Sequence, residues 1–139
     1  MIVLDTNVLS EAMRPSPDAE VLRWMAGQPA SQLFTTTITQ AEILYGLELM
    51  PKGKRHASLK SAIEAMFEED FGDRILPFDS DAALWFAQIA ASRRKVGRPV
   101  SQWDAQIAAI ARSRGAALAT RNTDDFEHCG ITLINPWSA

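Results

Sequence analysis

The sequence is poor in the residues from which several common active sites are built. It has one cysteine, Cys129, and two histidines, His56 and His128. A single cysteine forms no internal disulfide, which suits a reducing cytosol. The histidines lie in the basic helix start Lys54-Arg55-His56 and beside Cys129. Neither has a serine and an aspartate arranged around it, so a hydrolytic triad lacks members. Cys129 reads as an incidental residue near a turn rather than a nucleophile. Zinc-ligand spacing is absent. So are the Walker phosphate loop and the dinucleotide fingerprint GxGxxG. No apolar run approaches the roughly 18 residues of a membrane helix. The opening Met1-Ile2-Val3-Leu4-Asp5 lacks the basic and then apolar stretches of a secretory leader. The expectation is a soluble, cytoplasmic chain without a membrane segment. Internal repeats, low-complexity tracts and linkers are also missing.

What is present fits one domain over residues 1–139. Hydrophobic residues make up 47% and charged residues 22%, enough for a buried core without disulfides. The net charge of −3 argues at first against a nucleic-acid partner. Carboxylates that hold a divalent cation would not count as free, however. Basic residues also gather at Lys52, Lys54 and Arg55, at Arg93, Arg94, Lys95 and Arg98, and at Arg112, Arg114 and Arg121. Such clusters suit a phosphate backbone, but each alone is explained by helix C-termini that favour cations. Burial on helix faces explains most of the four tryptophans, Trp24, Trp85, Trp103 and Trp137.

Along the chain, residues 1–5 read as a buried strand ending in Asp5. Ser16-Pro17 reads as a helix start, with the helix running to about Gly27. Thr-rich Leu33–Thr37 is a second strand. Thr39-Gln40-Ala41-Glu42 reads as a capping box. A long amphipathic helix then carries Leu59, Ile63, Met66 and Phe67. Arg74–Phe78 is a third strand, weakened by Pro77, and Asp79 caps the next helix. Ser101 caps another, with Asp104 in its first turn. Ala116–Thr120 and Ile131–Ile134 are the last two strands, with a polar loop from Arg121 to Asp125 between them. Strands separated by helices imply an α/β sandwich whose sheet is mostly parallel.

In open parallel sheets, sites lie beyond the carboxyl ends of the strands. Asp5 is placed there directly, and Glu42, Asp104 and the segment Asn122, Asp124 and Asp125 follow strands or loops that reach the same edge. Carboxylates brought together repel unless a cation joins them, and hard oxygen ligands suit Mg²⁺ or Mn²⁺. Such an ion supports phosphodiester hydrolysis by activated water. Each acid also has a plain explanation. Asp5 serves as a helix cap, Glu42 as the capping-box partner of Thr39, and Asp104 as a complement to a helix dipole. Singly, each plain explanation is at least as good; together, the acids favour a site.

The motifs, taken in order, resemble the PIN-domain ribonucleases, and among them the VapC-type toxins of toxin–antitoxin pairs. Leu4-Asp5-Thr6-Asn7-Val8-Leu9-Ser10 is similar to the first family motif. Thr39-Gln40-Ala41-Glu42-Ile43 with Tyr45-Gly46 is similar to the second. Ser101-Gln102-Trp103-Asp104-Ala105-Gln106-Ile107 is similar to the third, and Ala119-Thr120-Arg121-Asn122 with Asp125-Phe126 to the fourth. Ile75–Asp79 and Asn135-Pro136-Trp137 resemble the FitB-like branch. The resemblance implies a PIN-like three-layer sandwich with about five strands and RNA cleavage with Mg²⁺ or Mn²⁺. Asp5, Asp104 and Glu42 match the family's metal-binding acids, and Thr6 and Thr120 its nearby hydroxyls. Asn122 stands where the family often has a fourth acid, with Asp125 as the candidate substitute. The resemblance further implies a small cognate antitoxin, operator DNA bound only through that antitoxin, and a homodimer.

Two other readings stay open on the residues alone. One is a receiver or phosphatase-like α/β domain. A phosphatase of the haloacid type wants a second aspartate at Asn7. A receiver wants a late lysine, and none follows Lys95. The other is a catalytically weak PIN-fold module that acts mainly through its antitoxin complex.

Overall fold

A computed structural model describes all 139 residues. The first strand, β1 (Ile2–Leu4), is an apolar triplet that enters the centre of the sheet. Side chains alternate across a strand. Val3 accordingly packs into one core and Leu4 into another on the opposite face. Further along the chain, β4 (Ala117–Ala119) repeats this split at Leu118 and Ala119. Strands buried on both faces have no polar side to show, which is why they read as continuous apolar runs.

The helices form the outer layers. Behind Leu4 lie α1 (Thr6–Ala12), α2 (Ala19–Ala26), α3 (Thr37–Leu49) and α4 (Lys54–Ala65), burying Val8, Leu9, Val21, Leu47 and Ile63. A wide π-helical turn, Met66–Phe71, extends α4 and turns Phe67 and Phe71 into the same core. Behind Val3 lie α5 (Ser80–Lys95) and α6 (Gln102–Ser113), whose Ile89, Ile107 and Ile110 fill the second core. No helix is long and apolar enough to cross a membrane.

The sheet is completed by β2 (Leu33–Thr36), β3 (Ile75–Leu76) and β5 (Leu133–Ile134). All five strands are parallel in the order β3-β2-β1-β4-β5. Ile2 pairs with Leu33 on one side and Ala117 on the other, which fixes the register of the centre. The receiver fold has the order 2-1-3-4-5, so this sheet is not a receiver's.

Local starts differ from the sequence expectation in two places. Asp18, not Ser16, caps α2, accepting the amides of Glu20 and Val21. Thr36 caps α3 through the Thr39 amide, so the helix begins before the expected capping box and that box does not form. Asp5, by contrast, caps α1 as its sequence position offers, accepting the Val8 amide. The third strand is also shorter than Arg74–Phe78, because Pro77 has no amide to extend the ladder.

Candidate active site

The strand order places a crossover point between β1 and β4, where the chain leaves in opposite directions. Ligands in open α/β sheets bind at such points, beyond the carboxyl ends. Asp5 follows β1 and Thr120 follows β4, and the two exits are joined by the Asp5 amide donating to the Ala119 carbonyl at 3.1 Å.

Asp5 is 4% exposed, and one carboxylate oxygen accepts the Val8 amide at 3.1 Å. Burial disfavours its charged form and pushes its pKa from 3.8 to about 6. The Thr120 hydroxyl and the amides of Val8 and Asn7 oppose that rise, while the charge of Asp104 adds to it.

Glu42 lies in the second turn of α3, not the first, and its side chain turns to α1. The Thr6 hydroxyl donates to Glu42 Oε1 at 2.8 Å and lies 3.1 Å from Thr39 Oγ1. Burial raises the Glu42 pKa, Thr6 lowers it, and Asp104 raises it. The capping-box explanation for Glu42 is therefore gone, and a contact across thirty-six residues replaces it.

Asp104 sits in the first turn of α6 as expected, its amide donating to Ser101 Oγ at 3.2 Å. Burial raises its pKa, Ser101 lowers it, and Asp125 raises it. Asp104 thus acts electrostatically on Asp5 and Glu42 and is acted on by Asp125. The fourth segment splits. Asp125 stands in a short 3₁₀ turn, Thr123–Phe126, held by its amide to the Asn122 carbonyl at 3.0 Å. The Asn122 amide N–H donates to Thr120 Oγ1 at 3.1 Å, while its side chain lines a separate recess with Arg121 and Trp137.

These acids can receive a cation. Five ion pairs occur in the protein, and none involves Asp5, Glu42, Asp104 or Asp125. The burial of Asp5 and the half-burial of Glu42 and Asp104 are therefore uncompensated by any basic side chain, while Asp125 is exposed. They do not form a ready cage, since no three acidic, histidine or cysteine side chains converge as direct ligands of one ion. Mg²⁺ tolerates that, because it keeps several waters and takes only one or two carboxylates.

Several of the basic cluster residues have structural roles. Arg93 is 4% exposed and donates to the Glu127 carbonyl. Arg112 stacks over Trp85 and donates to the Cys129 carbonyl, and Arg114 pairs with Asp79. Sequence reasoning missed the recess at Asn122. Its only trace in the sequence is Asn135-Pro136-Trp137 after the last strand, with Trp137 read as an ordinary buried ring.

The PIN domain family matches residues 2–131. The chain belongs to the PIN-domain family. Among relatives of this PIN domain, the VapC ribonuclease Y4jK of Sinorhizobium fredii is 41% identical, with 99% of this chain and 98% of the relative covered. The toxin FitB of Neisseria gonorrhoeae is 36% identical, with 99% of each covered. A solved structure of FitAB bound to a DNA fragment contains a chain that matches this PIN domain with a TM-score of 0.93 at 36% identity. The match covers 99% of this chain and 96% of that one.

Proposed function

We propose that this PIN domain is a Mg²⁺- or Mn²⁺-dependent endoribonuclease, the toxin of a type II toxin–antitoxin pair. The observation that carries the reading is the set of three acids from three separate elements. Asp5, Glu42 and Asp104 all have pKa values raised by burial, share Asp104 as the common neighbour, and lack any cationic partner. The names of the VapC and FitB relatives support a ribonuclease and a toxin.

Asp5, Asp104 and Glu42 would hold the ion, one or two of them directly and the rest through its waters, with Asp125 in the place that Asn122 leaves without charge. When bound, the ion supplies a Lewis acid for the phosphoryl group and makes water a usable nucleophile at neutral pH. The protein's part is positioning. Thr6 fixes the Glu42 carboxylate, Thr120 and the Val8 amide fix that of Asp5, and Ser101 fixes the helix turn that carries Asp104. Removing water from the edge keeps the fields of these charges strong. No covalent intermediate is needed.

By family analogy, a small cognate antitoxin restrains the toxin by covering the acidic pocket with a basic side chain, and operator DNA binds only through it. The FitAB structure bound to DNA supports that arrangement. A cytoplasmic homodimer belongs to the same proposal. A second reading, a catalytically weak module, is favoured only by Asn122 at the fourth acidic position. The test is RNA cleavage by the purified chain. Cleavage is expected with Mn²⁺ or Mg²⁺ and is expected to stop in EDTA. Full activity in EDTA would sink the metal mechanism, and no cleavage of any RNA with either ion would favour the weak module. In cells, expression should arrest growth, and the neighbouring antitoxin should relieve it.

A further inference from the structure

Next to the acids lies a polar recess of about 660 Å³ between α1 and the exits of β4 and β5. Asn7, Ser10 and Glu11 line it from α1 and Arg14 from just past its end, Arg121 and Asn122 from behind β4, and Trp137 from behind β5. It adjoins the site through the chain itself, because Asn7 is two residues beyond Asp5 and Asn122 two beyond Thr120.

The lining has the chemistry of a nucleotide site. The Arg121 guanidinium lies 5.1 Å from the centre of the Trp137 ring, so a planar cation and an aromatic face are presented together. Arg121 is exposed and has no carboxylate partner. Arg14, by contrast, is paired with the buried Glu11, whose second oxygen accepts the Asp18 amide. Arg121 is thus the cation of the recess left free for an anion. The side-chain amides of Asn7 and Asn122 are exposed and can both donate to and accept from a base edge. Trp137 is the only hydrophobic lining residue, which suits a base against one face and disfavours an apolar protein segment.

We infer that this recess holds one nucleotide of a single-stranded RNA beside the phosphate to be cut. Trp137 stacks on its base, Arg121 meets its phosphate, and Asn7 and Asn122 contact the base edge. On this view Asn122 is an amide because it faces a base rather than an ion. The inference rests on the ribonuclease reading for its ligand but is tested separately from it.

The experiment measures binding of a labelled single-stranded oligoribonucleotide by fluorescence anisotropy across a salt series. The full-length protein carries Asp104→Asn so that RNA stays intact. Trp137→Ala is expected to weaken binding by about tenfold, within the range of base–aromatic stacking, and Trp137→Phe to recover most of it. Arg121→Ala should lower the slope of log K against log salt by about 0.7, the loss of one phosphate contact on a single strand. Arg94→Ala, at the far end of α5, should change little. If Trp137→Ala unfolds, Trp137→Phe and Arg121→Ala carry the test. Unchanged affinity and slope in Arg121→Ala, or no RNA binding by the parent, overturns the inference. So does a loss confined to antitoxin binding, which would assign the recess to the protein partner. Metal-dependent cleavage by wild type, assayed alongside, reports separately on the ribonuclease reading. Cleavage with an unchanged Arg121→Ala slope overturns the recess alone, and absent cleavage with the expected binding losses overturns the catalytic reading alone.

Discussion

A carboxylate as enclosed as Asp5 is held against its own charge. Its pKa is raised from 3.8 to about 6, so the folded state binds the proton more tightly than the unfolded chain. The stability this group contributes is complete below about pH 4 and is lost as pH rises through about 6. Asp5→Asn removes the charge and keeps an oxygen for the Val8 amide. In EDTA at pH 7 it is expected to unfold at higher urea than wild type, with a gain on the order of 2–3 kcal/mol. The gain should vanish by about pH 4, and no such convergence would show that the Asp5 charge is already compensated. A divalent ion should invert the comparison, since its binding needs the ionised acid and releases the proton. Asp5 was legible in the sequence as a residue at the end of a strand. Its degree of enclosure was not, because it depends on the Thr120 and Asp104 segments that fold against it.

Among the elements, the helix starts do most to aim the site. Ser101 caps α6 through the Asp104 amide, so the cap and the acid share one turn. Ser101→Ala should cost about 1 kcal/mol in denaturant unfolding and weaken Mn²⁺ affinity, with Ser101→Thr restoring both. A stability loss without a change in ion affinity would separate the cap from the site. The loop after β4 is aimed from outside. Arg112, fixed by Trp85 and the Cys129 carbonyl, lies where a Cβ on Gly130 would approach within 2.3 Å. Gly130 also has φ of +76°. Gly130→Ala is expected to destabilise by about 1–3 kcal/mol, read from the urea midpoint. The Ser101 and Asp79 starts were visible from local spacing, and both hold as caps. The start of α3 was misplaced because Thr36, Thr37 and Thr39 are all competent caps in sequence. The fold uses Thr36, and the long-range contact between Glu42 and Thr6 leaves no trace in the local pattern. The recess at Trp137 was invisible for the same reason, since it joins residues from α1 and from the segments that follow β4 and β5.

The molecule as a whole is a parallel sheet whose centre is two short apolar strands, and that much follows from runs of buried residues between helical patterns. The strand order does not, yet it brings Asp5 and Thr120 together at the crossover. A protein of net charge −3 that gathers the buried Asp5 and the half-buried Glu42 and Asp104 on one edge is expected to gain from a cation there. Mn²⁺ at about 100 times its dissociation constant should stabilise the fold by about 2.7 kcal/mol. A thermal scan with and without EDTA checks this, and an unchanged midpoint would speak against a bound ion. The central claim is that Asp104, shared electrostatically by Asp5 and Glu42, is part of an ion site that cleaves RNA. The most direct measurement is the RNA cleavage rate of Asp104→Asn against wild type in saturating Mn²⁺, with melting curves beside it. The rate is expected to fall by at least about a hundredfold, since even outer-shell substitutions at metal sites cost 10–100-fold, while the fold survives. Cleavage by a folded Asp104→Asn at the wild-type rate would contradict the claim.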